Sequence, residues 1–200
     1  MRTLKFEDRE SWLEARRGKI TGSRLKDIIV KRGTGYKIGF YELIAERIAV
    51  APDGENAMDR GTRLEEEAVT RFMQETGKKV DTSLVIWTRD DNESIAVSPD
   101  GFIGKKEAVE AKCLASARHI EAWLTKEVPY EYEEQAIQYF IVNKDLQTLH
   151  FVFFDPRIPA KDYFVIEIKR EKVKEKIEEY LEYQKKVLEE VDQIVNELTF

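Results

Sequence analysis

The sequence predicts a single α/β domain in which helices flank a central mixed β-sheet. Two observations predict it: helical periodicity at both ends of the chain, and a run of strand-forming segments between them. The 200 residues are 42% hydrophobic and 36% charged, which is typical of a folded domain. We divide the domain, residues 1–200, into a helical N-terminal part (1–50), a core (60–170) and a C-terminal helix (170–198).

The individual elements follow from local patterns. The helices, with apolar residues every three or four positions, are two short ones within Ser11–Arg32, then Phe40–Val50, Arg60–Thr76, Ala115–Glu127, Glu131–Asn143 and Glu171–Leu198. The strands, rich in β-branched and aromatic residues, are Val80–Thr88, Ser94–Ser98, Phe102–Ile103, Glu107–Cys113, Thr148–Phe154 and Tyr163–Lys169. Ser23 is placed to N-cap the second short helix.

Composition excludes several kinds of site. Cys113 is the only cysteine, so an intramolecular disulfide and a cysteine-ligated zinc or iron–sulfur centre are excluded. His119 and His150 are far apart in the sequence. A metal would therefore need carboxylate ligands, which suit hard ions such as Mg²⁺ or Mn²⁺.

Charge and hydropathy bear on location and partners. The net charge of −6 argues against a protein that coats nucleic acid without specificity, yet residues 1–32 carry ten Lys or Arg against five acidic residues. The charged N-terminus has no apolar signal core, and no segment is long and apolar enough to span a membrane. We expect a cytoplasmic protein that does not bind membranes.

Asp100, Glu110 and Lys112 form the strongest candidate site. On a strand, Glu110 and Lys112 project from the same face, and Val109, Ala111 and Cys113 from the other. The turn that holds Asp100 can bring its carboxylate beside Glu110, so that two carboxylates bind a cation next to a lysine. That combination suits phosphodiester hydrolysis, where a metal and an ammonium offset developing negative charge. The alternative is a solvated surface strand.

Two helices offer further polar groups. Glu65 falls within the apolar arc of the Arg60–Thr76 helix, where a carboxylate needs a metal or a basic partner, such as an inward salt bridge. Gln135 and Gln138 lie on one side of the otherwise apolar Glu131–Asn143 helix. Their partners are either a metal-bound water or phosphate, or a nearby strand that one of them caps.

The basic N-terminal segment, residues 12–24, has the features of a phosphate pocket. A glycine-bearing turn enters a helix close to Arg16, Thr21 and Ser23. The alternative is a solvated basic face.

These segments together resemble the phage lambda exonuclease (YqaJ-like viral recombinase) family, a branch of the PD-(D/E)xK nucleases with a restriction-endonuclease-like domain. The resemblance covers nearly the whole chain. It rests on the order and spacing of Trp12…Arg16…Ile20-Thr21…Ser23, Gly61-Thr62-Arg63-Leu64-Glu65, Ser98-Pro99-Asp100-Gly101, Glu110-Ala111-Lys112, Tyr132…Gln135…Gln138-Tyr139 and Phe154-Asp155-Pro156-Arg157.

The resemblance implies a Mg²⁺-dependent, processive 5′→3′ exonuclease on double-stranded DNA ends. Such an enzyme leaves 3′ single-stranded tails for recombination, forms a ring-shaped trimer and works with a single-strand annealing protein. The resemblance also implies a bacterial cell, in which the gene can belong to a phage or prophage, and residues 60–170 as the catalytic core.

Residue by residue, the resemblance implies a two-ion Mg²⁺ site, for which Mn²⁺ can substitute, held by Asp100, Glu110 and the Ala111 carbonyl. Lys112 would serve the nucleophilic water, and Glu65 would be the helix carboxylate. The residues implied at the DNA 5′-phosphate are Trp12, Arg16, Thr21 and Ser23.

The active-site glutamine has two candidates. Counting from Tyr132 selects Gln135, which also forms a Gln-x-x-x-Tyr motif with Tyr139 like that of RecB-type nucleases. Counting back from Asp155 favours Gln138 as the match to the neighbouring family glutamine and leaves Ala136 opposite the functional one. We prefer Gln135.

Two other hypotheses stay open. One is a PD-(D/E)xK nuclease of another kind, an endonuclease or a RecB-like end processor; the lack of a cysteine cluster argues against its iron–sulfur branch. The other is a non-catalytic DNA-end-binding module, against which the intact Asp100, Glu110 and Lys112 set argues.

Overall fold

A computed structural model describes residues 1–30, 37, 39–40, 43, 59–114, 116–156 and 158–199. The helix predicted over Phe40–Val50 falls largely outside these residues, as does Arg157. No helix in the described part of the chain is long and apolar enough to cross a membrane.

Six helices and seven strands are described in chain order. The helices are α1 (Arg9–Glu14), α2 (Gly22–Leu25), α3 (Asp59–Thr76), α4 (Ser116–Thr125), α5 (Glu133–Val142) and α6 (Arg170–Thr199). The strands are β1 (Arg2–Lys5), β2 (Val85–Thr88), β3 (Ala96–Val97), β4 (Gly101–Ile103), β5 (Glu107–Lys112), β6 (Thr148–Phe154) and β7 (Tyr163–Lys169). Short 3₁₀ turns cover Tyr130–Tyr132 and Pro159–Lys161.

The central sheet is mixed, as the sequence predicts. Its order is β4-β5-β6-β7, with β5 and β6 parallel and the two outer pairings antiparallel. A second, antiparallel sheet of order β1-β2-β3 was not predicted, because β1 lies in the part of the chain expected to be helical. The α/β class with helices around a mixed sheet is confirmed.

Strand alternation divides the core between the two faces of the central sheet. On β6, Phe151 and Phe153 join a large core with α5, α6 and β2, whereas Val152 and Phe154 join a smaller core under α3. On β5, Val109 and Ala111 belong to the smaller core, as predicted from the period of two. Glu110 and Lys112 therefore belong to the face that α5 covers.

Two local predictions were wrong. The strand predicted over Val80–Thr88 begins only at Val85, because the Asp81 carboxylate accepts bonds from the backbone N–H (2.9 Å) and hydroxyl (2.5 Å) of Ser83 and closes a turn. Ser23 is not an N-cap: Thr21 occupies that position of α2, without a side-chain capping bond, and Ser23 lies inside the helix.

Candidate active site

A cavity of about 620 Å³ opens where β5 runs past the end of β4. Strand β4 is only three residues long, so the C-terminal half of β5 has β6 on one side and, among the described residues, no strand on the other. The cavity brings together eight residues singled out in the sequence: Trp12, Arg16, Ser23, Glu65, Asp100, Glu110, Lys112 and Gln135.

Three donors fix the carboxylate of Glu110, which is only 3% exposed. The Lys112 Nζ lies 2.5 Å from Glu110 Oε1, and the Gln135 amide donates to the same oxygen. The Tyr139 hydroxyl donates to the other oxygen, Oε2. A buried carboxylate held in this way has one orientation, which a metal ligand needs.

Asp100 occupies the open edge of β5. Its Oδ2 accepts the backbone N–H of Ala111 at 2.7 Å. Because the N–H and C=O of one strand residue point to the same side of the strand, the Ala111 carbonyl also faces this edge. Asp100 and the predicted backbone ligand are thus on the same side of β5.

The carboxylates raise one another's affinity for protons. Burial, helped by the charges of Glu110 and Glu65, raises the pKa of Asp100 well above its usual value. Burial also raises the pKa of Glu65, although Lys112 opposes this effect. A bound cation would relieve both effects by compensating the charge.

Lys112 is the cation among these carboxylates. Burial alone would lower its pKa, but the charges of Glu110 and Asp100 outweigh burial, so the pKa of Lys112 is raised. Lys112 therefore carries its proton at neutral pH. Its Nζ lies 5.1 Å from the centre of the Tyr132 ring, which gives Tyr132 a cation–π contact with the site rather than a place in the cavity lining.

The polar groups reach the cavity from both faces of the sheet. Helix α3 packs through Ala68, Val69 and Phe72 on the smaller core and extends Glu65 to the open edge. Helix α5 lies on the other face and contributes Gln135. The two sides meet where β5 extends beyond its pairing with β4.

The side chains of Gln135 and Gln138 have different partners in the structure. Gln138 is fully buried, and its amide donates to the carbonyls of Ile20 (3.0 Å) and Ala96 (3.2 Å) and to Gln184 Oε1 (2.9 Å). It joins α5 to the second sheet and to α6, away from the cavity lining. Of the two candidates, Gln135 is the glutamine that reaches the carboxylates.

The N-terminal segment forms the opposite wall of the cavity. The Trp12 indole is anchored by a bond from Nε1 to the Val85 carbonyl (3.1 Å), and the Arg16 guanidinium lies 4.4 Å from the centre of its ring. Burial lowers the pKa of Arg16, against the pull of Glu110, but a guanidinium stays charged. Ser23 faces the cavity, and Thr21 is buried behind it with the two hydroxyl oxygens 3.5 Å apart.

Two residues of the site had no assigned role in the sequence analysis. Tyr139 was noted only as part of the Gln-x-x-x-Tyr motif, and that spacing, one turn of helix after Gln135, was the signal that it faces Glu110. Arg9 also lines the cavity, and nothing in its sequence context distinguishes it from the other basic residues nearby.

Within the described residues, no three acidic, histidine or cysteine side chains have metal-ligand spacing. The predicted ligand set does not require three, since it has two carboxylates and the carbonyl of Ala111. Hard oxygen donors beside a like-charged carboxylate fit a Mg²⁺-type ion.

The mixed sheet, with Asp100 and the Glu110-x-Lys112 strand at its open edge, has the PD-(D/E)xK-like nuclease fold. The chain belongs to the YqaJ-like viral recombinase family, whose domain model matches residues 11–145.

Two solved structures show how far the similarity extends. The alkaline exonuclease LHK-Exo from Laribacter hongkongensis superimposes with a TM-score of 0.78 at 28% identity, over 95% of this chain and 98% of that one. A structure of LHK-Exo in complex with dAMP matches with a TM-score of 0.78 at 29% identity and the same coverage. Comparison with curated proteins finds no match.

Proposed function

We propose that this protein is a Mg²⁺-dependent exonuclease that degrades double-stranded DNA from its ends, processively and in the 5′→3′ direction. The observation that carries the proposal is the cavity in which Asp100, Glu110, Lys112 and Glu65 face Arg16 and Ser23. The similarity of this chain to LHK-Exo also supports the proposal. LHK-Exo binds dAMP, and an exonuclease releases nucleotides of this kind from DNA.

Asp100, Glu110 and the Ala111 carbonyl would hold the metal. We propose two Mg²⁺ ions per active site, and Mn²⁺ could replace them. Bound there, the metal would lower the pKa of an attacking water and stabilise negative charge on the phosphate. Because Glu110 already accepts bonds from Lys112, Gln135 and Tyr139, its orientation is set by the protein.

Lys112, hydrogen-bonded to Glu110, would orient or help to deprotonate the attacking water and offset charge in the transition state. Gln135 positions Glu110, and Glu65 completes the acidic wall and can hold a water. Arg16 and Ser23 bind the 5′-phosphate, which keeps the end of the strand in the site between cuts.

The proposal also includes the oligomeric state, the partner and the location of the protein. A ring-shaped trimer would enclose the duplex and explain processivity, and the 3′ tails left by the enzyme would be substrates for a single-strand annealing protein. Native mass spectrometry tests the trimer, with a monomer as the contradicting result. The cytoplasm of a bacterial cell, with a phage or prophage gene, is the setting we propose.

The deciding experiment compares linear and closed circular duplex DNA with Mg²⁺ and with excess chelator. We expect only the linear molecule to be degraded, with mononucleotides released from its 5′ ends, and no reaction when the metal is removed. Cutting of closed circles would instead favour an endonuclease, and binding to ends without any cleavage would favour a non-catalytic module. Glu110→Gln serves as the inactive control.

A further inference from the structure

Two lysines share one indole at the end of α4, outside the cavity. The Lys126 Nζ lies 4.1 Å from the centre of the Trp123 ring, and the Lys161 Nζ lies 5.5 Å from it. Both lysines are exposed, whereas Trp123 is half-buried. Among the residues that the structure describes, neither lysine forms an ion pair within 4.0 Å or a side-chain hydrogen bond. Their ammonium groups therefore keep their N–H donors for a ligand outside the chain.

The fold holds the two lysines together by contacts of its own. The fully buried His119 of α4 has its Nε2 2.7 Å from the Lys161 carbonyl oxygen, and its ring centre lies 4.9 Å from that of Phe164. The Lys126 Nζ lies 5.9 Å from the centre of the same Phe164 ring. The positions of both ammonium groups are thus set by α4 and β7, and not by an acidic partner.

Lys126 has a backbone conformation that favours glycine. Its φ is 58°, and its N–H donates to the Ala122 carbonyl at 3.0 Å, the bond that ends a helix with one left-handed residue. A side chain is disfavoured in this conformation relative to glycine. The end of α4 therefore does not need a lysine for its stability, and a binding role can be tested apart from a structural one.

The cluster of Trp123, Lys126 and Lys161 lies on the same face of the central sheet as the active-site lysine. Lys112 pairs with Phe153 on β6, and Phe153 pairs with Phe164 on β7, so these three residues form one row across the sheet. Two strand spacings separate Lys112 from Phe164 by about 10 Å. That distance is about three nucleotides along a DNA strand, which carries one negative charge every ~3.4 Å.

We propose that Lys126 and Lys161, held on Trp123, form a second DNA contact that binds the phosphodiester backbone about three nucleotides from the reacting phosphate. The inference rests on the proposed exonuclease function and adds two binding residues that lie outside the cavity. DNA fits the cluster better than an acidic protein surface does, because a strand held at Lys112 already carries further phosphates toward these ammonium groups.

The test measures the Kd for linear duplexes by fluorescence anisotropy, in excess chelator so that no cleavage occurs, at salt concentrations from about 0.05 to 0.2 M. The duplexes have a blunt end, a 3′ single-stranded overhang or a 5′ overhang. The proteins are the wild type, Lys126→Gly, Lys161→Gln and the double variant. The matched control is Lys105→Gln, since Lys105 is exposed and precedes β5, at the end of the strand opposite to Lys112.

Each single substitution should weaken binding about fivefold at 0.1 M salt, the factor that one exposed ion pair supplies near its upper range. Each should also reduce the slope of log Kd against log salt concentration by about 1, and the double variant by about 2. Lys105→Gln should bind as the wild type does. In urea, Lys126→Gly should be at least as stable as the wild type, which shows that its weaker binding does not come from unfolding.

The three duplexes identify which backbone the lysines bind. A loss of affinity in the double variant that is largest with the 3′ overhang assigns the contact to the strand left intact, and one that is largest with the 5′ overhang assigns it to the degraded strand. An equal loss with all three assigns it to the duplex.

An unchanged Kd and salt slope in the double variant would overturn the inference and favour an acidic protein as the ligand of the cluster. An equal loss in Lys105→Gln would also overturn it, because net charge alone would then explain the effect. If the wild type binds DNA through the two lysines but degrades no linear duplex with Mg²⁺, the proposed exonuclease function is refuted while the DNA contact stands.

Discussion

Replacing each of the two α5 glutamines with methionine should separate stability from catalysis. Methionine keeps the length of glutamine and removes its hydrogen bonds. Gln138→Met should destabilise the fold and leave the cavity intact, whereas Gln135→Met should do the reverse.

The magnitudes follow from the partners that each amide serves. Without Gln138, Gln184 Oε1 loses its donor inside the core and the Ala96 carbonyl loses one, but the Ile20 carbonyl keeps a bond from the Ala96 N–H (3.1 Å). The Oε1 of Gln138 has no partner within the described residues, so its removal costs nothing. The expected loss in the free energy of unfolding is about 2 kcal/mol.

For Gln135→Met, the carboxylate of Glu110 keeps Lys112 and Tyr139, and residue 135 is only half-buried. The free energy of unfolding should change by less than ~1 kcal/mol. Loss of a group that orients a metal ligand should slow cleavage by about tenfold to hundredfold.

Urea unfolding followed by tryptophan fluorescence and the rate of nucleotide release from a linear duplex are measured on both variants. Each variant is the control for the other, since both make the same substitution on one helix. If Gln138→Met is inactive at wild-type stability, or Gln135→Met cleaves at the wild-type rate, the assignment of the two glutamines is wrong.

Three further predictions concern the site and its surroundings. Lys112→Ala should reduce the cleavage rate at least about a thousandfold, because charge stabilisation at the reacting phosphate is lost. The Kd for duplex ends in a gel-shift assay should change little. Cleavage at the wild-type rate would refute the assignment of the site. The hydrogen bond from Arg89 lowers the pKa of Asp91 to about 2, so the pair stabilises the protein above the ordinary aspartate pKa and loses its effect as the pH falls through about 2. Because Asp91 is 44% exposed, Asp91→Asn should cost less than ~1 kcal/mol at pH 7 and nothing in strong acid, measured by urea unfolding. Burial and the carboxylates of Glu65 and Asp100 raise the pKa of Cys113 to about 12, so iodoacetamide at pH 8 should alkylate it far more slowly than a free thiol, as mass spectrometry will show; modification at the free-thiol rate would contradict this.

Long periodic segments were predictable from the sequence because their signals are local. The predicted Arg60–Thr76 helix differs from α3 by one residue at its start, and Thr148–Phe154 and Tyr163–Lys169 agree with β6 and β7 residue for residue. In the C-terminal helix, α6 extends the prediction by one residue at each end. Tertiary packing reinforces these patterns and does not override them.

The second sheet was not predictable in the same way. Strand β1 has four residues, none of them buried, and its pairing with Val85–Thr88 spans about eighty residues of sequence. Nothing in the segment itself identifies that partner. The predicted strands also extended too far, to Val80 at one end and to Cys113 at the other, because side-chain hydrogen bonds and sheet edges decide where strand pairing stops.

The site was predictable in its residue types and less so in its contacts. The period of two put Glu110 and Lys112 on one face, and the helical arc put Glu65 toward the core. A helical wheel cannot separate Gln135 from Gln138, because a difference of one turn decides which neighbour each amide meets. Arg9 could not be recognised from the sequence, because only the fold of the chain places its guanidinium over the Trp12 ring.

The carboxylate of Asp100 also occupies a backbone donor at an open sheet edge. Past the end of β4, the edge of β5 would present a free backbone N–H to any extended chain, and exposed sheet edges are templates for aggregation. By accepting the Ala111 N–H, Asp100 takes up the donor that a foreign strand would need first. In the proposed function the same carboxylate also holds the metal, so one side chain would serve both solubility and chemistry.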